Sequence, residues 1–486
     1  MSADVTGPAT AAGPPPTPTP AARSLRGRRA ALAGAAVVVV VVVLAIVVLT
    51  AGGSSSTPPA SGAAKLVPAN ALVYVHVSTD RGRSATASAA KLAGAFPSWP
   101  VLRDGIVRRL QAPGCDVGAQ ALKSADEAAL AIFDTGGGSR ANSLVLVDTG
   151  KDHKNARQAG CGALSYTYVG RFLAIGQPES LRLAGQLAAG KGTSLADAPG
   201  PKAEFAKLPE DRVADGWLSA DGVRRLLEPQ GGLLGAAGTL FDQPALKGAA
   251  FGLTAAGDRV RLVVHSQLDP ALAKVSASGF KKFHPTLASS VPADAMVYLG
   301  VSNLAPAIQR LVAAAGTTSA QLAPLVGKLD APLLKIFPGE AAIILTASTP
   351  APVLTLLAAT KDPAGTRAAL AQLPAAVRKS FTTAVWDGKV AVSTSPKGIA
   401  ALKAGGEHLT DTDQWSKSVG NHPESVSSLL FLDFRRLLTL GEQTGLANSS
   451  AYQAAKADLQ KVRAIGAHTS GNDSESTAEI DLLITS

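Results

Sequence analysis

The sequence predicts an α+β fold: two tandem repeats of a mixed, largely antiparallel sheet with helices, preceded by one transmembrane helix. Three observations predict it. Near the N-terminus lies a long run without charge, a nine-residue motif occurs twice, and short apolar runs alternate with helical stretches throughout the remainder.

The uncharged run comprises the 22 residues from Ala30 to Ala51. At 1.5 Å of rise per residue it makes a helix of about 33 Å, enough to cross a hydrocarbon core of about 30 Å. Its centre, Val37 to Val43, is a poor helix former in water. In lipid the backbone amides need partners within their own segment, and a lone crossing finds them only as a helix. Arg23, Arg26, Arg28 and Arg29 precede the run and no charge follows it until Lys65. Positive residues stay on the cytoplasmic side, so the N-terminus is expected inside and the chain beyond about Lys65 outside. A cleaved signal peptide has a shorter apolar core, of about 7 to 15 residues, and an Ala-x-Ala-like end. This run instead closes with Leu49, Thr50 and Ala51.

The boundaries follow. Residues 1–29 form a Pro/Ala-rich cytoplasmic tail without the makings of a core, and residues 30–51 are the membrane helix with the lipid bilayer as partner. Residues 52–64 are a Gly/Ser/Pro/Ala linker with a flexible dimension of about 20 Å. The extracytoplasmic repeats are expected at 65–270 and 285–486.

The repeat is legible in Val67-Pro68-Ala69-Asn70-Ala71-Leu72-Val73-Tyr74-Val75, which returns as Val291-Pro292-Ala293-Asp294-Ala295-Met296-Val297-Tyr298-Leu299. Further matches keep the same order: Ala128 to Phe133 with Ala341 to Thr346, and Lys151-Asp152 with Lys361-Asp362, each of the latter pair read as leading into a helix. Asp221 before Arg224-Arg225 answers Asp433 before Arg435-Arg436, and each Asp is expected to cap a helix. Leu72 to Val77, Ala128 to Phe133, Leu144 to Val147 and Phe172 to Ile175 read as strands. Gly257-Asp258 between two apolar runs reads as a hairpin turn, mirrored near Gly471-Asn472-Asp473. Gly136-Gly137-Gly138 reads as a turn as well.

The formal charge is +10, of which four Arg against one Asp in residues 1–64 account for +3. The basic residues of the outer region are scattered pairs without interleaved aromatics, so nucleic acid is not expected as a partner. Cys115 and Cys161 are the only cysteines, and both fall in the region assigned to an oxidising compartment. A disulfide between them is expected, with a chain-entropy stabilisation of about 4 kcal/mol.

No Gly-x-Ser-x-Gly elbow, His-Glu-x-x-His, or phosphate-cradling glycine loop occurs, so no catalytic, cofactor or metal residues are assigned. Ser88 to Lys91 and Ser278 to Lys281 have the Ser-x-x-Lys spacing but lack its companion motifs. Of the seven histidines, His76 draws notice because strand alternation puts it on the face of Tyr74, opposite Val73, Val75 and Val77. The matching position of the second repeat is Gly300, so His76 is expected to be an ordinary half-exposed residue.

The Val-Pro-Ala-Asn/Asp-Ala opening, given twice behind a single anchor in an Ala-rich chain, resembles the actinobacterial membrane-anchored family catalogued as domain of unknown function 3352. Asn70 departs from the more typical Asp seen at Asp294. The resemblance implies placement in a bacterial cell envelope and supplies no activity or catalytic residues. The expected function is a non-enzymatic ligand-binding or scaffolding module with an envelope polymer or protein as partner. The alternative is an unrecognised cell-envelope hydrolase or cell-wall-modifying enzyme.

Overall fold

A computed structural model describes residues 59, 61–110, 117–122, 124–134, 142–153, 157–161, 164–224, 245–275, 281–302, 304, 330–349 and 351–485. The expected tail and membrane helix, Cys115, the side chain of Cys161 and the turn at Gly136–Gly138 lie outside the described residues. Among those residues no helix is long and apolar enough to cross a membrane.

The chain is α+β with one large antiparallel sheet. Its first nine strands are β1 (Ala71–Ser78), β2 (Glu127–Phe133), β3 (Asn142–Asp148), β4 (Ala159–Cys161), β5 (Leu164–Val169), β6 (Phe172–Gly176), β7 (Ala214–Ser219), β8 (Leu246–Ala256) and β9 (Arg259–Leu268). The next are β10 (Ala295–Ser302), β11 (Glu340–Thr346), β12 (Val353–Ala359), β13 (Thr382–Trp386), β14 (Lys389–Ser393), β15 (Ser428–Asp433), β16 (Val462–Gly471) and β17 (Glu475–Ile484). The four apolar runs read as strands fall within β1, β2, β3 and β6.

Pairing gives the spatial order β4, β5, β6, β3, β2, β1, β7, β8, β9 and then β17, β16, β15, β10, β11, β12, β14, β13. Every neighbour is antiparallel. Outward from β9 the order is β8, β7, β1, β2, β3, β6, β5; outward from β17 it is β16, β15, β10, β11, β12, β14, β13. Among the described residues the two orders match strand for strand, except that β4 has no counterpart. Irregularities recur at matching places, between Ala71 and Val73 and between Ala295 and Val297, and again between Leu246 and Gly248 and between Val462 and Ala464. A bulge shifts every later side chain to the other face, so matched bulges keep the same residues inward in both halves.

The two sets meet at β9 and β17, whose register is self-complementary. The first residue of β9, Arg259, faces the ninth of β17, Leu483; the ninth, Gln267, faces the first, Glu475; the fifth, Val263, faces the fifth, Glu479. That is how two copies related by a twofold axis meet. Arg261 donates to both oxygens of Asp481 across this seam (2.9 and 3.1 Å), Lys207 reaches Glu475 (2.6 Å) and Arg463 reaches Asp258 (3.0 Å). Burial pushes the Asp481 carboxyl up against the pull of Arg261.

Helices lie on both faces of the sheet because strands such as Ala-Leu-Val-Tyr-Val-His-Val-Ser are apolar at both parities. On the face of Tyr74 the helix Pro178–Ala188 packs through Leu181 and Ala184 over β3 and β6, in one cluster with Leu144 and Phe172. On the same face of the second half, Ile399 and Trp415 pack around Tyr298. The opposite face carries the helix Ser84–Gly94, whose Ala85, Ala89 and Leu92 meet Val77, Leu253, Val260 and Leu482. Leu333, Ile336 and Leu370 cover Val301 and Ala358 farther along it.

The hairpin at Gly257-Asp258 forms as expected, a two-residue loop with Gly257 at φ 60° closing the Ala256–Arg259 pair. Asp433 caps the helix Phe434–Gln443, accepting from the Arg436 amide (3.0 Å). Asp221 does not cap its helix. Ser219 does, through the Gly222 amide (2.9 Å), because the cap is the last residue of the preceding strand and β7 ends at Ser219 as β15 ends at Asp433. Asp362 caps the expected helix Pro363–Ala371. After Asp152 residues 154–156 lie outside the described set and the chain re-enters at 157 on its way into β4.

Gly466 lies so close to the Ser418 carbonyl that a Cβ would overlap it, whereas a Cβ at Gly94 meets nothing within 4 Å. Gly466→Ala is expected to cost about 1 to 3 kcal/mol by overpacking, and Gly94→Ala to be neutral or stabilising by up to about 1 kcal/mol. Denaturant titration of the two variants against the parent checks both.

Candidate functional site

His76 is fully buried at 0 % exposure, not half-exposed as its sequence context suggested. Alternation along β1 does place it with Tyr74, but Tyr74 lies in a buried core with Leu66 and Leu208 and has Phe205 edge-on against it, so that face is covered. What holds a buried imidazole is the company the sheet brings to it. Asp215 stands directly opposite on β7, and its Oδ1 lies 3.3 Å from His76 Nδ1. Glu127 opens β2, and its Oε2 lies 3.1 Å from His76 Nε2. Arg212, two residues before β7, donates from Nε to Asp215 Oδ2 (2.7 Å).

The result is a linear chain, Glu127, His76, Asp215, Arg212, with formal charges that alternate when the imidazole is protonated. Only the protonated ring can offer an N–H to both carboxylates, since a neutral imidazole has one donor and one acceptor. Burial by itself would push the imidazole down, but Asp215 and Glu127 together override it and hold His76 up at about 9. Burial likewise opposes the Asp215 charge, and His76 and Arg212 override that, keeping its carboxyl below the usual range. The Tyr74 hydroxyl is pushed well up by burial and by the same two carboxylates. The imidazole contacts are short but poorly angled, so neither ring nitrogen makes a well-formed hydrogen bond; Tyr74 Oη and Ser78 Oγ beside them also have none.

The second half lacks this chain. Gly300 takes the place of His76, Leu429 that of Asp215, and Val426 that of Arg212. Glu340 matches Glu127 but is turned to a different task, accepting from the amides of Thr286 (2.7 Å) and Leu287 (2.8 Å) at the start of a 3-10 turn. Tyr298 leans over Gly300, where a Cβ would come within 2.7 Å of its hydroxyl, and Trp415 meets it edge-on at 5.4 Å. An imidazole has no room there. Burying two carboxylates and two cations costs more desolvation than the apolar alternative, which the second half has adopted at the same place.

Other polar groupings lie nearer the surface. Arg171 pairs with buried Asp148 (2.8 Å), and His153 stacks on Tyr168 at 3.9 Å. An open depression beside the repeated motif is lined by Asn70, Leu187, Lys191 and Thr193. Its wall is a Schellman turn in which Gly190, at φ 74°, lets the Lys191 amide reach Gln186 O (2.8 Å). Among the described residues no group of three or more His, Cys, Asp or Glu is placed to hold a metal ion. Strand alternation alone singled out His76; nothing in sequence pointed to Glu127, Asp215 or Arg212, which lie about 50 to 140 residues away.

No family model matches the chain and no curated protein matches it. Among solved structures it is similar to TP0453 in crystal forms I, IV and III, at 9 %, 10 % and 10 % identity. Those likenesses cover 43 %, 46 % and 44 % of this chain and 79 %, 85 % and 85 % of TP0453, each with a TM-score of 0.25. That score is too low to carry an argument about fold or function.

His76→Leu removes the central cation and leaves two carboxylates buried against an apolar side chain, and is expected to destabilise by about 3 to 5 kcal/mol. The triple change His76→Gly, Arg212→Val, Asp215→Leu leaves Glu127 as the one charge of the chain and is expected to recover only part of that loss, read from urea midpoints. Stability should also depend on pH with a definite sign. The His76 contribution is complete below the unfolded value of 6.5 and fades as pH rises through about 9, while the Asp215 contribution fades as pH falls below 3.8. Thermal melts of the parent should therefore peak between those limits, and the triple variant should be flatter on the alkaline side.

Proposed function

We propose that this chain is a single-pass, membrane-anchored protein of a bacterial cell envelope whose outer region is a duplicated, non-enzymatic platform for ligand binding or scaffolding. The observation that carries the reading is the self-complementary β9–β17 ladder. It joins two strand sets of like order into one sheet, so the two sets are held at a fixed spacing and orientation. Rigid presentation of that kind suits a binding or scaffolding role, because a preorganised surface loses little freedom when a partner docks.

The anchor rests on the uncharged run Ala30 to Ala51 with its preceding arginines, and the short linker keeps the outer region near the headgroups. The resemblance to domain of unknown function 3352 supports the same placement. In an oxidising compartment Cys115 and Cys161 pair. The partner is an envelope polymer or another envelope protein; the depression by Asn70 and Lys191 offers it polar groups beside Leu183 and Leu187.

Alkaline phosphatase fused after Ser486 is expected to be active and the same fusion to a cytosolic reporter inactive; the reverse pattern would overturn the topology. For the platform, purified full chain in detergent is expected to retain cell-wall polymer or an envelope protein on a column, with loss of retention on Lys191→Glu. Turnover of a cell-wall or lipid substrate that a point variant abolishes would replace the platform with an enzyme.

A further inference from the structure

We propose that the Glu127–His76–Asp215–Arg212 chain is a proton-operated lock on the first half of the sheet, which holds β2, β1 and β7 together while the imidazole carries its proton and loosens them when that proton leaves. The lock has no counterpart in the second half, so the two halves respond differently to alkali although their strands are arranged alike.

The geometry makes the proton structural. His76 is on the central strand of three, with Glu127 on the neighbour to one side and Asp215 on the neighbour to the other. Each ring nitrogen lies within 3.3 Å of one carboxylate, and the ring is shut away from water that could replace the lost contact. Removing the proton leaves the four-residue chain with two carboxylates against one guanidinium, a net negative charge next to unpartnered Tyr74 Oη and Ser78 Oγ. An isolated buried charge is costly, and opening the strands to admit water relieves it. At the matching place Gly300, Leu429 and Tyr298 carry no charge, and Glu340 is held by backbone amides.

The groups around His76 agree with this assignment. From β2 it meets Glu127, from β7 Asp215, and from the segment before β7 Arg212, whose carbonyl accepts from Arg83 Nη1 (2.9 Å). On its own strand Tyr74 stacks at 6.5 Å and stays protonated through the range concerned. The helix Pro199–Phe205 turns Phe205 toward Tyr74, while its Glu204 is engaged with Lys207. His76 is thus the group whose proton balances the chain, held at about 9.

Hydrogen exchange by mass spectrometry on the full chain in detergent, at pH 6 to 10 and corrected for the intrinsic pH dependence, tests the lock. One proton is released on opening between the free and buried values of His76, so the opening constant of β1, β2 and β7 amides should rise about tenfold per pH unit from 6.5 to about 9 and then level off. Amides of β10, β11 and β15 should stay flat over that range, and His76→Gln should flatten the first half too. An equal rise in both halves, no rise in either, or a rise that persists in His76→Gln would overturn the proposal. Should that variant fail to fold, a carbon-13 histidine titration of the parent decides: a His76 midpoint near 9 supports the lock, and one at or below 6.5 rejects it.

Discussion

Everything in this molecule is arranged about the ladder between β9 and β17. A sheet ends wherever a strand presents an unpaired edge, and an unpaired edge is both a loss of hydrogen bonds and a template for aggregation. Here the last strand of each half supplies the partner for the other, and a register that is symmetric about Val263 and Glu479 lets equivalent residues serve on both sides. The ion pairs of Arg261 with Asp481 and Lys207 with Glu475 then cross the same seam. Once that line is fixed, the positions of the remaining strands follow outward from it, pair by pair, toward the short terminal strands β4 and β13.

Like architecture with unlike interiors is the second feature of the fold. The same place in each half is closed by opposite means: Tyr298, Gly300 and Trp415 fill it with packed rings, whereas His76, Glu127 and Asp215 fill it with charge. Both solutions satisfy geometry, but they differ in cost. The apolar one needs no desolvation of ions, so the ionic one makes the stability of the first half conditional on the protonation state of one ring. The turned-away Glu340 makes the contrast sharp, because the carboxylate at the head of the matching strand β11, with no imidazole to receive it, is taken up by backbone amides.

Local features were readable from the sequence because they depend on near neighbours. The alternation in Leu72 to Val77, the Gly257-Asp258 turn and the Asp433 cap are set within a few residues, and each appears where expected. Asp221 is not the cap its position suggests, because the cap belongs to whichever residue ends the strand, and Ser219 ends β7. The burial of His76 departs from its local pattern for a different reason: alternation tells which residues share a face, but not which face another element will cover.

By itself, then, the sequence determined the α+β class, strands such as β1, β2, β3 and β6, and the Gly257-Asp258 turn, since all of these are properties of short stretches. Only the tertiary structure decided that β9 and β17 join the strand sets into one sheet, and that Glu127, His76, Asp215 and Arg212 form one buried chain. The reason is physical. Strand pairing and charge compensation are contacts between residues far apart along the chain, and no periodicity within a segment encodes which distant carboxylate will stand three ångströms from a given ring.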